Sequence, residues 1–71
     1  MPSDRVMATL NAIAAEIPAQ RARIEDLGEL IDIKRANGQV VTEDTRQLAE
    51  ARRQLEMWIS TLKSKGAVIP G

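Results

Sequence analysis

The side chains best placed to do chemistry are three carboxylates, Glu25, Glu29 and Asp32, which follow one another at spacings of four and three residues. On a helix this spacing puts all three on one face, where they could meet a basic partner or weakly hold a hard cation. A charged stripe of this kind is usually only a solvated face, and Glu25 and Glu29 repel each other mildly. We therefore predict no metal site and assign the three carboxylates to the polar rim of a binding surface.

Two arginines on the second half of the chain suggest another chemistry. Arg46 and Arg53 lie seven residues apart and share a helix face, so they could contact phosphate groups. Glu50 and Glu56 interleave with them, and Arg46 and Glu50 have the spacing of an intrahelical ion pair. Ten basic residues balance ten acidic ones, whereas nucleic-acid binders usually carry a positive excess on at least one face. A nucleic-acid-associated dimer is therefore the alternative function, and Arg46 and Arg53 join the predicted polar rim.

Catalysis has almost no support in the sequence. The 71 residues include neither His nor Cys, which removes the commonest general base, the thiol nucleophile and the usual zinc ligands. The serines have no identifiable base, and no glycine loop precedes a helix in a phosphate-binding pattern. We predict a protein that is not an enzyme and that has no catalytic residue, metal or cofactor.

The composition predicts one small all-α domain over residues 1–71. Ala, Leu, Glu, Arg and Gln are abundant, strand formers are few and Trp58 is the only aromatic residue. The N-terminus lacks the basic and apolar regions of a secretory signal, and no apolar run is long enough to span a bilayer. The absence of Cys fits a cytoplasmic protein.

An apolar stripe predicts a long first helix from Ser3, its N-cap, to about Ala36. The residues of this stripe alternate at spacings of four and three, with one polar member: Val6, Leu10, Ile13, Ile17, Gln20, Ile24, Leu27 and Ile31. Because the phase of the stripe survives Pro18, we expect one helix kinked near that proline. The other interpretation, a break at Ile17 with Pro18 starting a new helix, stays open. Gln20 either fixes the helix register or is exposed at the kink.

The second helix is predicted over about residues 42–65. Residues 37–41 form a turn in which Gly38 ends the first helix and Thr42 caps the second. The stripe of the second helix comprises Leu48, Ala51, Leu55, Trp58 and Leu62, widened by Ile59. Gly66 ends it, and the apolar tail 66–71 is expected to fold back through Val68 and Ile69. A turn this short makes the two helices an antiparallel hairpin.

This geometry predicts protein–protein interaction. The first turns of the long helix, including Leu10, should overhang the shorter one, and a hairpin cannot cover stripes this wide. We therefore expect a homodimer in the form of a four-helix bundle, and a larger protein partner for an adaptor, inhibitor or assembly subunit. Membrane binding is not expected, because the polar face of the first turns is poor in Lys and Arg. The predicted interface comprises Val6, Met7, Leu10, Ile13, Ile17, Leu55, Trp58, Ile59, Leu62, Val68 and Ile69.

Overall fold

Two helices packed against each other make up the protein. A computed structural model describes residues 4–70, in which α1 spans Asp4–Ala36 and α2 spans Thr42–Ser64. The helices form an elongated body of 55 × 17 × 16 Å, and no strand occurs among the described residues. The predicted all-α hairpin is confirmed at this level. The predicted N-cap, Ser3, lies outside the described residues.

The helix α1 continues through Pro18 without interruption. The alternative of a break at Ile17 is therefore wrong. Ile17 is fully buried and Pro18 is exposed, so the proline ring lies away from the core. A break here would have removed the most buried side chain of α1 from the helix that positions it. The energetic cost of Pro18 inside the helix has two parts: the loss of one intrahelical hydrogen bond, because proline has no N–H, and the crowding of the preceding turn.

A left-handed glycine ends each helix, as predicted. Gly38 has φ of 73° and donates to the carbonyl of Arg35 at 3.1 Å, while Gln39 donates to the carbonyl of Lys34 at 2.8 Å. These two hydrogen bonds, from residues just after the helix, satisfy carbonyls that the last turn leaves without partners. Gly66, with φ of 70°, ends α2 through the same pair of bonds. The end of α2 at Ser64 is one residue before the predicted position.

The helix α2 starts at Thr42, within the predicted range, but the residue that caps it differs from the prediction. Val41 occupies the N-cap position, since its carbonyl accepts the N–H of Thr45 at 2.8 Å, and no side chain caps the helix. Thr42 is instead the first helical residue, so its predicted capping role is wrong. The ion pair between Lys34 and Asp44, at 2.9 Å, ties the first turn of α2 to the last turn of α1.

The core lies toward the open end of the hairpin, away from the turn. Leu10, Ile17 and Leu62 form its centre, and the residues packed around them are Ile13, Ala14, Leu55, Trp58, Ile59, Ala67 and Ile69. Leu10 is only 8% exposed, so the prediction that it overhangs α2 is wrong. The reason is that the last turn of α2 reaches the level of Leu10, where Leu62 packs in the same cluster and Thr61 lines the same surface.

The tail after α2 returns along the body of the hairpin. Nη1 of Arg21 donates to the carbonyl of Pro70 at 2.6 Å, and Ile69 packs against the core. Val68, however, is 86% exposed, so the prediction that it folds back with Ile69 is wrong. Ile69 packs against the core while its neighbour Val68 faces solvent, so only one of the two side chains folds back.

A polar contact crosses the hairpin near its middle. Nε2 of Gln20 donates to the carbonyl of Ala51 at 3.0 Å, and both residues lie at the contact between the helices. Exposure of Gln20 at a kink is therefore wrong. A hydrogen bond from one helix to a particular backbone atom of the other favours one longitudinal alignment, as expected for a residue that fixes register.

Candidate interaction surface

The predicted interface residues fall into three groups by exposure. Leu10, Ile17 and Leu62 are buried by the chain itself, so a partner reaches them only by opening the hairpin. Ile13, Leu55, Trp58, Ile59 and Ile69 are half-buried around that core. Val6, Met7 and Val68 are exposed, at 41%, 45% and 86%. The surface available to a partner is therefore smaller than the predicted interface and lies at the open end of the hairpin.

The first turns of α1 and the last turn of α2 frame a shallow depression at this end. Its lining residues are Arg5, Val6, Thr9, Leu10, Ile13, Thr61 and Lys65, and we call it the open-end depression. Val6, Leu10 and Ile13 make its floor apolar, because the 4–3 spacing of the stripe brings them to the same face of α1. Arg5 and Lys65 add two positive charges at its edge. This arrangement suits an apolar side chain that is accompanied by an acidic group.

The carboxylates of the predicted rim do not form a metal site. Glu25, Glu29 and Asp32 are all exposed on α1. Within residues 4–70, no group of three or more potential ligands is arranged to hold a metal ion. These carboxylates also lie well along α1 from the open-end depression, nearer to the turn.

The predicted ion pair between Arg46 and Glu50 is present at 3.1 Å, and Arg46 also binds Glu43. The hydrogen bond from Arg46 lowers the pKa of Glu43, and the same bond raises the pKa of Arg46. To contact a phosphate, Arg46 would have to exchange two carboxylate partners for it. Arg53 is exposed on the same helix. The geometry therefore gives the nucleic-acid alternative no additional support.

A second apolar face on α1 was not predicted from the sequence. We call it the outer face, and it comprises Ala8, Ala12, Ala15, Ala19, Ala22, Asp26, Leu30 and Ile33, all of which are exposed. Leu30 and Ile33 are 40% and 58% exposed. The alanines repeat at spacings of four and three, the same signal that identified the buried stripe. The pattern was overlooked because it was sought among larger apolar residues, and alanine is also the commonest helix former.

The corresponding face of α2 is charged. Its exposed residues include Arg46, Ala49, Arg53, Glu56 and Ser60, with Met57 as the one large apolar member at 57% exposure. The two helices therefore present different surfaces to solvent. This contrast within one molecule indicates that the apolar outer face of α1 is not a general property of its surface.

Within residues 4–70, neither helix combines the length and the apolar character needed to cross a bilayer. Comparison of the chain with protein-family models, with curated proteins and with solved structures finds no match. The function of the chain is therefore inferred from the surfaces of the hairpin.

Proposed function

We propose that this protein is a non-catalytic protein–protein interaction module that works as a homodimer and binds a larger protein through the open-end depression. An adaptor, an inhibitor of a larger protein and an assembly subunit all act in this way. The observation that carries the proposal is the apolar floor of the depression, in which Val6 is 41% exposed. We place the protein in the cytoplasm, on the basis of its Cys-free sequence.

The chemistry of the depression defines the partner segment. Its floor of Val6, Leu10 and Ile13 accepts one or two apolar side chains, such as those that an amphipathic helix presents one turn apart. Its edge carries Arg5 and Lys65, which favour acidic residues next to those anchors and disfavour basic ones. The partner segment is therefore an amphipathic helix with aliphatic anchors flanked by Asp or Glu.

The homodimer follows from the apolar surface that the hairpin leaves uncovered. Large apolar side chains are exposed on both helices, with Leu30 and Ile33 on α1 and Met57 on α2. Exposed apolar surface of this kind usually marks an interaction site, and self-association with two-fold symmetry is the commonest way to cover it. A core of this size also stabilises a chain by only about 3–5 kcal/mol, so association contributes to folding.

Site-specific photo-crosslinking in the cells that make the protein tests the partner surface. A photoreactive amino acid replaces Thr9, which lines the depression, or Ala49, which is exposed on the far side of α2. We expect one larger protein to be captured from position 9 and not from position 49, and mass spectrometry maps the crosslink to its partner segment. Lys65→Glu should reduce the capture, because it reverses a charge at the edge.

Equal capture from both positions, or capture that Lys65→Glu leaves unchanged, would contradict the proposed surface. A crosslinked segment without acidic residues would contradict the proposed chemistry of the partner.

A further inference from the structure

We infer that two copies of this chain pair antiparallel through the outer face of α1, with Leu30 of each copy packed on Ala19 of the other. The inference rests on the homodimer proposed above and specifies the surface that forms it. This surface is separate from the open-end depression, so one copy can use both at once.

The outer face has the composition of a buried helix face. From Ala8 to Ile33 it has eight positions, of which Asp26 alone is charged. The opposite face of α1 is already buried against α2, with Ile17 at 0% and Ile31 at 5% exposure. A helix that is apolar on two opposite faces normally packs on both of them. On α2, by contrast, the face that only solvent contacts is charged.

The distribution of side-chain sizes along the face favours antiparallel pairing. The large residues, Leu30 and Ile33, lie toward the end of α1, and the alanines lie before them. Antiparallel pairing puts the large residues of each copy onto the alanines of the other, which fills the interface evenly and lets the helices approach closely. Parallel pairing puts alanine against alanine and leucine against leucine. It would leave a gap at one end of the interface and crowd the other.

The charges in this region agree with the antiparallel pairing in which Leu30 lies opposite Ala19. A groove on the outer face is lined by Ala19, Ala22, Arg23, Asp26, Leu27 and Leu30. A two-fold axis midway between Ile24 and Glu25 places Leu30 opposite Ala19. The same axis places Arg23 opposite Asp26, and symmetry produces that ion pair twice.

Only a second copy satisfies all of these requirements at once. The face supplies both the large side chains and the small ones that receive them, and both the cation and its anion. Such self-complementarity is the requirement of a two-fold interface, in which the same patch occurs on both sides. With Ile33 of each copy beside Ala15 of the other, the contact extends over most of the apolar length of α1.

Disulfide crosslinking tests the orientation, and the chain suits it because it contains no Cys. Chains carrying Ala19→Cys are mixed with equal amounts of chains carrying Leu30→Cys and a mass tag, and the mixture is oxidised mildly. Because a disulfide needs Cα atoms within about 4.4–6.8 Å, we expect the mixed 19–30 disulfide to dominate. Ala49→Cys is the control on α2 and should form no dimer. Predominant 19–19 and 30–30 disulfides would overturn the antiparallel arrangement.

Sedimentation equilibrium with a matched pair of substitutions tests the face. Ala19→Glu introduces a carboxylate into the interface, whereas Ala49→Glu makes the same change on α2. Both positions are exposed in the single hairpin, and Glu forms helices nearly as well as Ala. Circular dichroism should therefore show both variants folded. We expect the dimer Kd to rise about 100-fold or more for Ala19→Glu, from burial of an unpaired charge, and to be unchanged for Ala49→Glu.

The outcomes separate the two proposals. A wild-type chain that stays monomeric at every concentration would overturn the homodimer, and with it this inference. A wild-type dimer that Ala19→Glu leaves intact would overturn the α1 face alone. Partner capture at position 9 does not depend on either result.

Discussion

Replacing Leu62 by Ala should remove most of the stability of this hairpin. Leu62 is 0% exposed and lies at the centre of the core with Leu10 and Ile17. Truncating a fully buried Leu costs about 2–5 kcal/mol, through lost burial and the cavity left behind. A single core in a chain of this length rarely supplies more than about 3–5 kcal/mol in total. The Leu62→Ala variant should therefore be close to half unfolded in the monomeric state.

A milder substitution in the same cluster keeps the change measurable. Ile17→Val removes one methylene from a side chain that is also 0% exposed, and should cost about 0.5–1.5 kcal/mol. With a urea dependence of about 1–2 kcal/mol per molar for a small domain, the midpoint should fall by roughly 0.25–1.5 M. Leu30→Ala is the matched control for Leu62→Ala. Leu30 is 40% exposed, so its truncation should cost less than about 1 kcal/mol in the monomer.

Urea titration measures these losses, followed both by circular dichroism and by the fluorescence of Trp58. Trp58 is half-buried against the cluster, so its emission reports the separation of the helices. The titrations are run at a dilution at which the wild-type protein is monomeric, because association adds stability of its own. If Leu62→Ala and Leu30→Ala lost equal stability under these conditions, the assignment of Leu62 to the core would be refuted.

Three further substitutions test single contacts. Gln20→Ala should cost about 1 kcal/mol of unfolding free energy in the urea titration, because it removes the hydrogen bond to the carbonyl of Ala51. Arg46→Gln should raise the pKa of Glu43 toward its ordinary value, as measured by an NMR titration of the Glu43 carboxyl. Since the folded-state pKa of Glu43 is lowered, the stability it contributes is complete above its unfolded pKa and is lost as the pH falls through the folded one. Arg21→Met should release the tail and speed hydrogen exchange there, because it removes the side chain that donates to the carbonyl of Pro70.

Controls for these three substitutions come from exposed positions. Gln39→Ala makes the same change as Gln20→Ala at an exposed position in the turn, and it should cost no stability. Arg23→Met makes the same change as Arg21→Met at an exposed position of α1 away from the tail. Arg53→Gln should leave the pKa of Glu43 unchanged. A tail protected equally in Arg21→Met and the wild type would show that packing of Ile69 alone holds it.

The features that could be predicted from the sequence are those that neighbouring residues determine. Gly38 and Gly66 end the helices because a left-handed residue is needed within a few positions of each end. The regular 4–3 spacing of the apolar residues correctly predicted that α1 continues through Pro18, because two separate helices would have no reason to keep one phase of the apolar stripe. The hairpin followed from these signals and from the short turn.

The errors concern contacts between distant parts of the chain. Thr42 has a good local preference for the cap, but Val41 occupies that position, next to the turn of α2 that the Lys34–Asp44 ion pair joins to α1. Leu10 was expected to overhang because helix lengths alone do not give the register of the two helices, which brings Leu62 into one cluster with Leu10. The tail then returns along the hairpin, where Arg21 donates to the carbonyl of Pro70 across 49 residues.

The candidate surfaces were predictable only in part. The open end of the hairpin was identified from the apolar stripe, although that stripe gave no means of separating Leu10, which is buried, from Val6, which is exposed. The outer face of α1 has a regular signal that was misjudged. Alanine indicates a helix and a close contact equally well, and only the exposure of Leu30 and Ile33 on the same face distinguishes the two.

The two glycines that end the helices make this chain a suitable host for mirror-image residues. A methyl group built at Gly38 or Gly66 meets no atom within 4 Å, so any penalty for alanine there comes from the backbone alone. The natural enantiomer disfavours the positive φ of both sites, whereas D-alanine prefers it. Chemical synthesis with D-alanine at both positions should therefore add about 0.4–1 kcal/mol per site, by restricting the unfolded chain without touching either binding surface.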